Sequence, residues 1–178
     1  PCENFDKRCL SDGISIYEVF RIIDEIPLFL GRHLERLKVS ARHTDIELWH
    51  TKEEIAGFVN RLCQVNHVNY GNVKIVFNKL NSLNQDGENI CVAKNFLVYF
   101  VRHNYPTSEQ YANGVDTTIY KAVRNNPNAK IINLSLRERT ESIKKSQHVY
   151  EVILTDDKGN ISEGSRSNIF MIKDGKVF

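Results

Sequence analysis

Ser15 to His43 read SIYEVFRIIDEIPLFLGRHLERLKVSARH, and within this stretch the hydrophobic period changes. Ser15 to Ile23 mix β-branched and aromatic residues, the composition of a strand. Asp24 and Glu25 make a turn, and Ile26 to Leu30 read as the hairpin partner, with Pro27 marking a sheet edge or strand end. From Gly31 to His43 the apolar residues Leu34, Leu37 and Ala41 recur at helical spacing, which predicts an amphipathic helix. A strand pair that runs directly into a one-faced helix needs a layer of sheet under a layer of helix, an α+β arrangement.

Working outward, Thr51 to Gln64 form a second predicted helix. Thr51 and Glu54 have capping-box spacing, and Ile55, Phe58, Val59 and Leu62 make the apolar stripe. Val73 to Phe77 and Asn95 to Val101 are predicted strands, and the polar run Asn78 to Asn89 between them is a predicted loop. His103 to Gly114, with Pro106 and Gly114, is the expected interdomain linker. Beyond it come a strand (Val115 to Val123), a loop (Arg124 to Ala129), a helix (Ile131 to Ser146) and a strand (Val149 to Leu154). A turn at Asp156 to Asn160 follows, then a strand from Asn168 to Lys173, and Asp174-Gly175 opens a hairpin. The expected organisation is one domain at 1–102, a linker at 103–114, and a second domain at 115–178 that is still unfinished at Phe178.

Composition narrows the function classes. Hydrophobic residues are 41% and charged residues 26% of 178, as in folded globular chains. With 24 basic against 22 acidic side chains, no electrostatic footprint for nucleic acid or an anionic membrane is expected. No apolar run has the length of a membrane span, and residues 1–20 lack a signal-peptide layout. The four cysteines, Cys2, Cys9, Cys63 and Cys91, include no C-x-x-C pair and no zinc-ligand spacing, so no metal is expected. Reduced thiols in a cytoplasmic protein are the expectation, with Cys63 and Cys91 as small core residues.

Three segments carry chemistry together. The first is His33-Leu34-Glu35-Arg36-Leu37 with Ser40-Ala41 one turn on. The second is Asn128-Ala129-Lys130 with Asn133-Leu134, and the third is Ile161 to Phe170, ISEGSRSNIF, ahead of Lys173-Asp174-Gly175. In this order the chain resembles the class-IV, fold-type IV aminotransferases that depend on pyridoxal 5′-phosphate (PLP). That family includes branched-chain aminotransferases, D-amino-acid aminotransferases and 4-amino-4-deoxychorismate lyase. The Glu-Gly-Ser-x-Ser-Asn-Ile-Phe segment is the most specific piece of the resemblance.

The resemblance implies a small N-terminal α/β domain, complete here, and a larger PLP-binding domain only partly present. It implies that Lys130 forms the Schiff base with PLP. An ε-amine on a flexible stem suits that role, first as nucleophile and then as base. Glu163 matches the carboxylate that pairs with the pyridine nitrogen, keeping it protonated so that the ring acts as an electron sink. Arg36 matches the arginine whose guanidinium fork holds the cofactor phosphate. Arg124 matches a recurrent family arginine, and a structural salt bridge is an equal reading of it. The implied partners are a small-molecule amino acid, branched-chain or similar, and a 2-oxo acid, in a homodimer.

Tyr17, Val19 and Arg21 alternate along one predicted strand and share a face. With Lys74 they are candidates for the substrate pocket, and ordinary sheet packing is the other reading. His33 reads as a helix residue making local hydrogen bonds. The segment Leu10 to Gly13 departs from the family pattern and leaves the substrate open. The second phosphate-binding turn of the family, at a helix start, falls outside 1–178, so weak or no PLP retention by this chain is expected. Three functions stand: an aminotransferase, a lyase releasing pyruvate and p-aminobenzoate, and an inactive module of the same fold.

Overall fold

A computed structural model describes residues 13–102, 105–123 and 129–178. These divide into two compact units. One holds residues 13–102 together with 129–132, and the other holds 105–123 and 133–178.

The first unit is a four-stranded antiparallel sheet under two helices. Its elements are β1 (Ile14–Ile23), β2 (Ile26–Pro27), α1 (Leu30–Thr44), α2 (Lys52–Asn66), β3 (Tyr70–Leu83) and β4 (Asn89–Val101). The strand order is β2-β1-β3-β4. The hairpin arm expected from Ile26 to Leu30 is only two residues long, because Phe29 turns left-handed and α1 starts at Leu30.

One sheet face supplies Ile16, Phe20, Ile22, Val73, Ile75 and Phe77 to the core. Leu34, Leu37 and Ala41 of α1 and Ile55, Val59 and Cys63 of α2 close over it. The helix periodicity therefore located the packing faces. Thr51 caps α2 with the full capping box, its hydroxyl accepting from the Glu54 N–H and the Glu54 carboxylate accepting from the Thr51 N–H. Phe58 is not core: it is 42% exposed, with its ring edge-on to His50. Cys91 is exposed, against the expectation of a core thiol, whereas Cys63 is fully buried. Cys2 and Cys9 lie outside the described residues.

The loop expected at Asn78 to Asn89 is a correction. β3 and β4 continue through it as a ladder, and the turn spans only 84–88. The Asn84 side-chain oxygen accepts the N–H groups of Asp86 (3.0 Å) and Glu88 (2.8 Å) and closes the turn. Paired backbones satisfy each other whatever the side chains, so a polar run can be strand.

The second unit contains α3 (Ser108–Asn113), β5 (Thr117–Lys121), α4 (Leu134–Gln147), β6 (Glu151–Thr155), β7 (Ile161–Gly164), β8 (Ile172–Lys173) and β9 (Lys176–Val177). β5 and β6 pair in parallel with α4 between them in sequence, and β7 adds to β6 antiparallel. Residues 108–113, expected as linker, are a short helix because Thr107 and Gln110 form a second capping box. α4 begins three residues later than expected. Asn133 caps it by accepting the Leu136 N–H at 3.0 Å, while Ile131 pairs with Ile16 in the first unit's sheet. The strand expected from Asn168 is confined to Ile172–Lys173, and the hairpin turn at Asp174-Gly175 has both residues at positive φ, as a two-residue type I′ turn requires.

Candidate active site

The site in the first unit grows from β1 and α1. Alternation along β1 sends Ile16, Glu18, Phe20 and Ile22 toward the helices, and Tyr17, Val19 and Arg21 to the opposite face. Glu18 is thus a carboxylate in phase with the core, and it is 0% exposed. A lone buried carboxylate costs several kcal/mol, on the order of the desolvation penalty of an ion. α1 resolves this by presenting His33 and Arg36 one turn apart on the side that overlies β1.

The Arg36 fork grips both Glu18 oxygens. Nε donates to Oε1 and Nη2 to Oε2, each at 2.6 Å. His33 Nδ1 lies 2.9 Å from the same Oε2. A carboxylate only accepts, so that nitrogen carries the proton. Burial pushes the Glu18 carboxyl upward, but the hydrogen bonds from Arg36 and His33 and the Lys130 charge outweigh it and hold the group below the usual carboxylate range. Reciprocally, the bond to Glu18 keeps Arg36 firmly charged. His33 Nδ1 also lies 3.5 Å from Arg36 Nη2 on the same helix, so the local contact expected of it is joined by a long-range bond.

Lys130 joins from the far edge of β1. The Tyr17 N–H donates to the Lys130 carbonyl at 3.1 Å and the Ile132 N–H to the Ser15 carbonyl at 2.8 Å, so residues 130–132 lie beside β1 as a short strip. The Lys130 N–H donates to Ser40 Oγ on α1 at 2.9 Å. Held by a strand edge and a helix, Lys130 puts Nζ 3.7 Å from Glu18 Oε2 and 5.2 Å from the Tyr17 ring centre. Lys130 and Arg36 thus converge on one carboxylate oxygen.

On the opposite face Val19 pairs in register with Lys74, which is 8% exposed and reaches over the Tyr17 ring at 4.5 Å. Arg21 stacks on Tyr70 at 4.5 Å. The four pocket candidates therefore share a sheet face. Glu163 belongs to the second unit, on β7 opposite Leu154 and half-buried. The loop after it is organised by Glu151, whose carboxylate accepts from Ser165 Oγ at 2.6 Å and Ser167 Oγ at 2.8 Å. Arg124 lies outside the described residues.

Sequence reasoning passed over Glu18 and gave Ser40 no role of its own. For Glu18 the signal was present: a charge in phase with Ile16, Phe20 and Ile22 demands a buried partner. Nothing local marks Ser40, whose acceptor role depends on a segment far along the chain.

The family model of class IV amino-transferases matches residues 15–178. The chain belongs to that family. Its members are PLP-dependent enzymes. Among curated relatives it is 27% identical to a D-alanine aminotransferase of Listeria monocytogenes, covering 98% of this chain and 61% of that one. It is 26% identical to an aminodeoxychorismate lyase of Bacillus subtilis, covering 90% of this chain and 56% of the relative. The fold matches the branched-chain amino acid aminotransferase of Escherichia coli with a TM-score of 0.76 at 21% identity, over 93% of this chain and 58% of that one. The chain thus spans about three fifths of the length of the class IV relatives it matches.

The donor set fits the family's cofactor. An amine suits an aldehyde, a guanidinium suits a phosphate, and the two meet within one cluster. Among the described residues no helix is long and apolar enough to cross a membrane, and no cluster of metal-ligating side chains is present.

Proposed function

We propose that this chain is the greater part of a PLP-dependent aminotransferase that moves an amino group between an amino acid, D-alanine or branched-chain in type, and a 2-oxo acid. One observation carries the reading: Lys130 Nζ and the Arg36 fork converge on Glu18 Oε2, an amine and a phosphate-type fork in one place. When bound, PLP supplies an electron sink for charge developed at the substrate α-carbon. Arg36 would hold its phosphate, and Glu163, as the resemblance implies, would keep its ring nitrogen protonated. Lys130 is the amine that would hold the cofactor aldehyde, and its Nζ would serve as the base that moves the α-proton. Tyr17, Val19, Arg21 and Lys74 line the substrate side. The working protein is a cytoplasmic homodimer.

The likeness to the Bacillus subtilis relative supports a second reading, a lyase that expels pyruvate from aminodeoxychorismate. Both readings use Lys130 in the same way.

The test is to incubate protein expressed from the full-length gene with PLP, reduce with borohydride, digest, and locate the pyridoxyl group by mass. Label on Lys130 supports the reading, and label scattered over surface lysines or absent overturns it. Assays for 2-oxo acid and for p-aminobenzoate then separate transferase from lyase.

A further inference from the structure

Glu18 is a buried carboxylate that the proposed function leaves without a task. It is 0% exposed, and it gathers Arg36, His33 and Lys130. Of the five guanidinium N–H donors of Arg36, Glu18 takes the Nε hydrogen and one on Nη2. Nη2 also lies 3.5 Å from His33 Nδ1, and the Nη1 pair points to the other edge. Because the guanidinium is planar and rigid, fixing its Nε/Nη2 edge on a buried anchor fixes the direction of its other edge. The side chain of Arg36 is 50% exposed, so the far edge is the accessible one.

We infer that Glu18 is a positioning residue, which clamps the inner edge of Arg36 so that the outer edge is presented as a preformed fork for the cofactor phosphate. This rests on the proposed function. The carboxylate and the phosphate do not compete, because the fork has two usable edges. His33, bonded to the same Oε2, restrains the carboxylate from the side. An arginine without this clamp samples many rotamers and loses that entropy only on binding.

The test compares two aldehydes that differ only in the phosphate: PLP and pyridoxal. With each, the Lys130 amine condenses with loss of water, borohydride reduces the carbon–nitrogen double bond to a secondary amine, and the labelled Lys130 peptide is quantified. The unchanged chain should label faster with PLP than with pyridoxal. Glu18→Gln should lower the PLP-to-pyridoxal ratio about tenfold, the scale of one charge-assisted pair; the ratio cancels any change in Lys130 reactivity that the lost ion pair causes with both aldehydes. Arg36→Ala should lower it similarly, and the double variant no further, because Glu18 acts through Arg36. Glu18→Asp keeps a charge in the core but draws the carboxylate back, so a folded Asp variant should also lose the ratio if the Gln variant does not fold.

A ratio unchanged in the folded Gln or Asp variant overturns the inference. So does a parallel fall with both aldehydes, which a general structural role would give. Both arms use protein expressed from the full-length gene, and absence of Lys130 label there with either aldehyde fails the proposed function itself, and this inference with it.

Discussion

Ser40 Oγ accepts the backbone N–H of Lys130 at 2.9 Å across 90 residues of chain, and the same hydroxyl donates to the Arg36 carbonyl at 3.2 Å. One buried hydroxyl on α1 therefore ties the backbones of the candidate amine and the candidate phosphate ligand together. Ser40→Ala leaves the Lys130 N–H without its acceptor. The expected loss is about 1–2 kcal/mol by urea unfolding, with slower borohydride-fixed PLP labelling at Lys130. Unchanged stability and labelling would show the bond to be dispensable.

Glu18 gives a pH dependence with a definite sign. Its folded carboxyl sits below the ordinary value, so the folded state binds fewer protons than the unfolded one. The stabilisation is complete above about pH 4.3, the usual glutamate value, and is lost as pH falls through the lower folded value. Glu18→Gln should be less stable than the unchanged chain at pH 7, and the gap should narrow in acid. Chemical denaturation at pH 7 and pH 4 measures both gaps, and a gap that widens in acid contradicts the assignment.

Gly164 accommodates a close approach. A Cβ placed there would collide with Ser167 Oγ, which donates to Glu151. Gly164→Ala should cost about 1–3 kcal/mol, the range of overpacking, and should disturb the loop that follows Glu163. Adding Ser167→Ala removes the hydroxyl contact but leaves the Ser167 carbonyl at 3.0 Å and its Cβ at 3.3 Å, so it should recover only part of that loss. Thermal unfolding of the single and double variants decides it.

The two capping boxes should differ in worth. Thr51→Ala uncaps α2, which buries Ile55, Val59 and Cys63, and should cost about 1 kcal/mol. Thr107→Ala uncaps α3, which buries nothing, so global stability should hardly move while local amide exchange in 108–113 quickens. Equal effects on the melting temperature would refute the distinction.

The sheet-and-helix layer was legible because its signals are local. The Leu34, Leu37, Ala41 stripe named the core face of α1, and Thr51 with Glu54 named a helix start. The length of the β3–β4 hairpin was not legible. Asn78, Asn81 and Ser82 have loop composition, and only pairing with β4 makes them strand. The α3 helix carried its signal, Thr107 and Gln110, but Pro106 and Gly114 suggested a linker more strongly. At the site, Lys130 and Arg36 were found by resemblance, and their meeting point was not. Glu18 joins them across 18 and 112 positions of chain, a juxtaposition that only the fold creates.

The strip at 129–132 means that the first unit is not encoded by one continuous stretch. β2 covers only Ile22 and Ile23 of β1, and the strip supplies partners nearer its start. A gene cut after residue 102 would yield a sheet with Ser15 and Tyr17 main-chain groups exposed along an edge open to other chains. It would also leave the lysine on the discarded piece. Segments exchanged between relatives at that cut would pair one protein's β1 with another's strip, so productive recombination has to carry the two stretches as one inheritance.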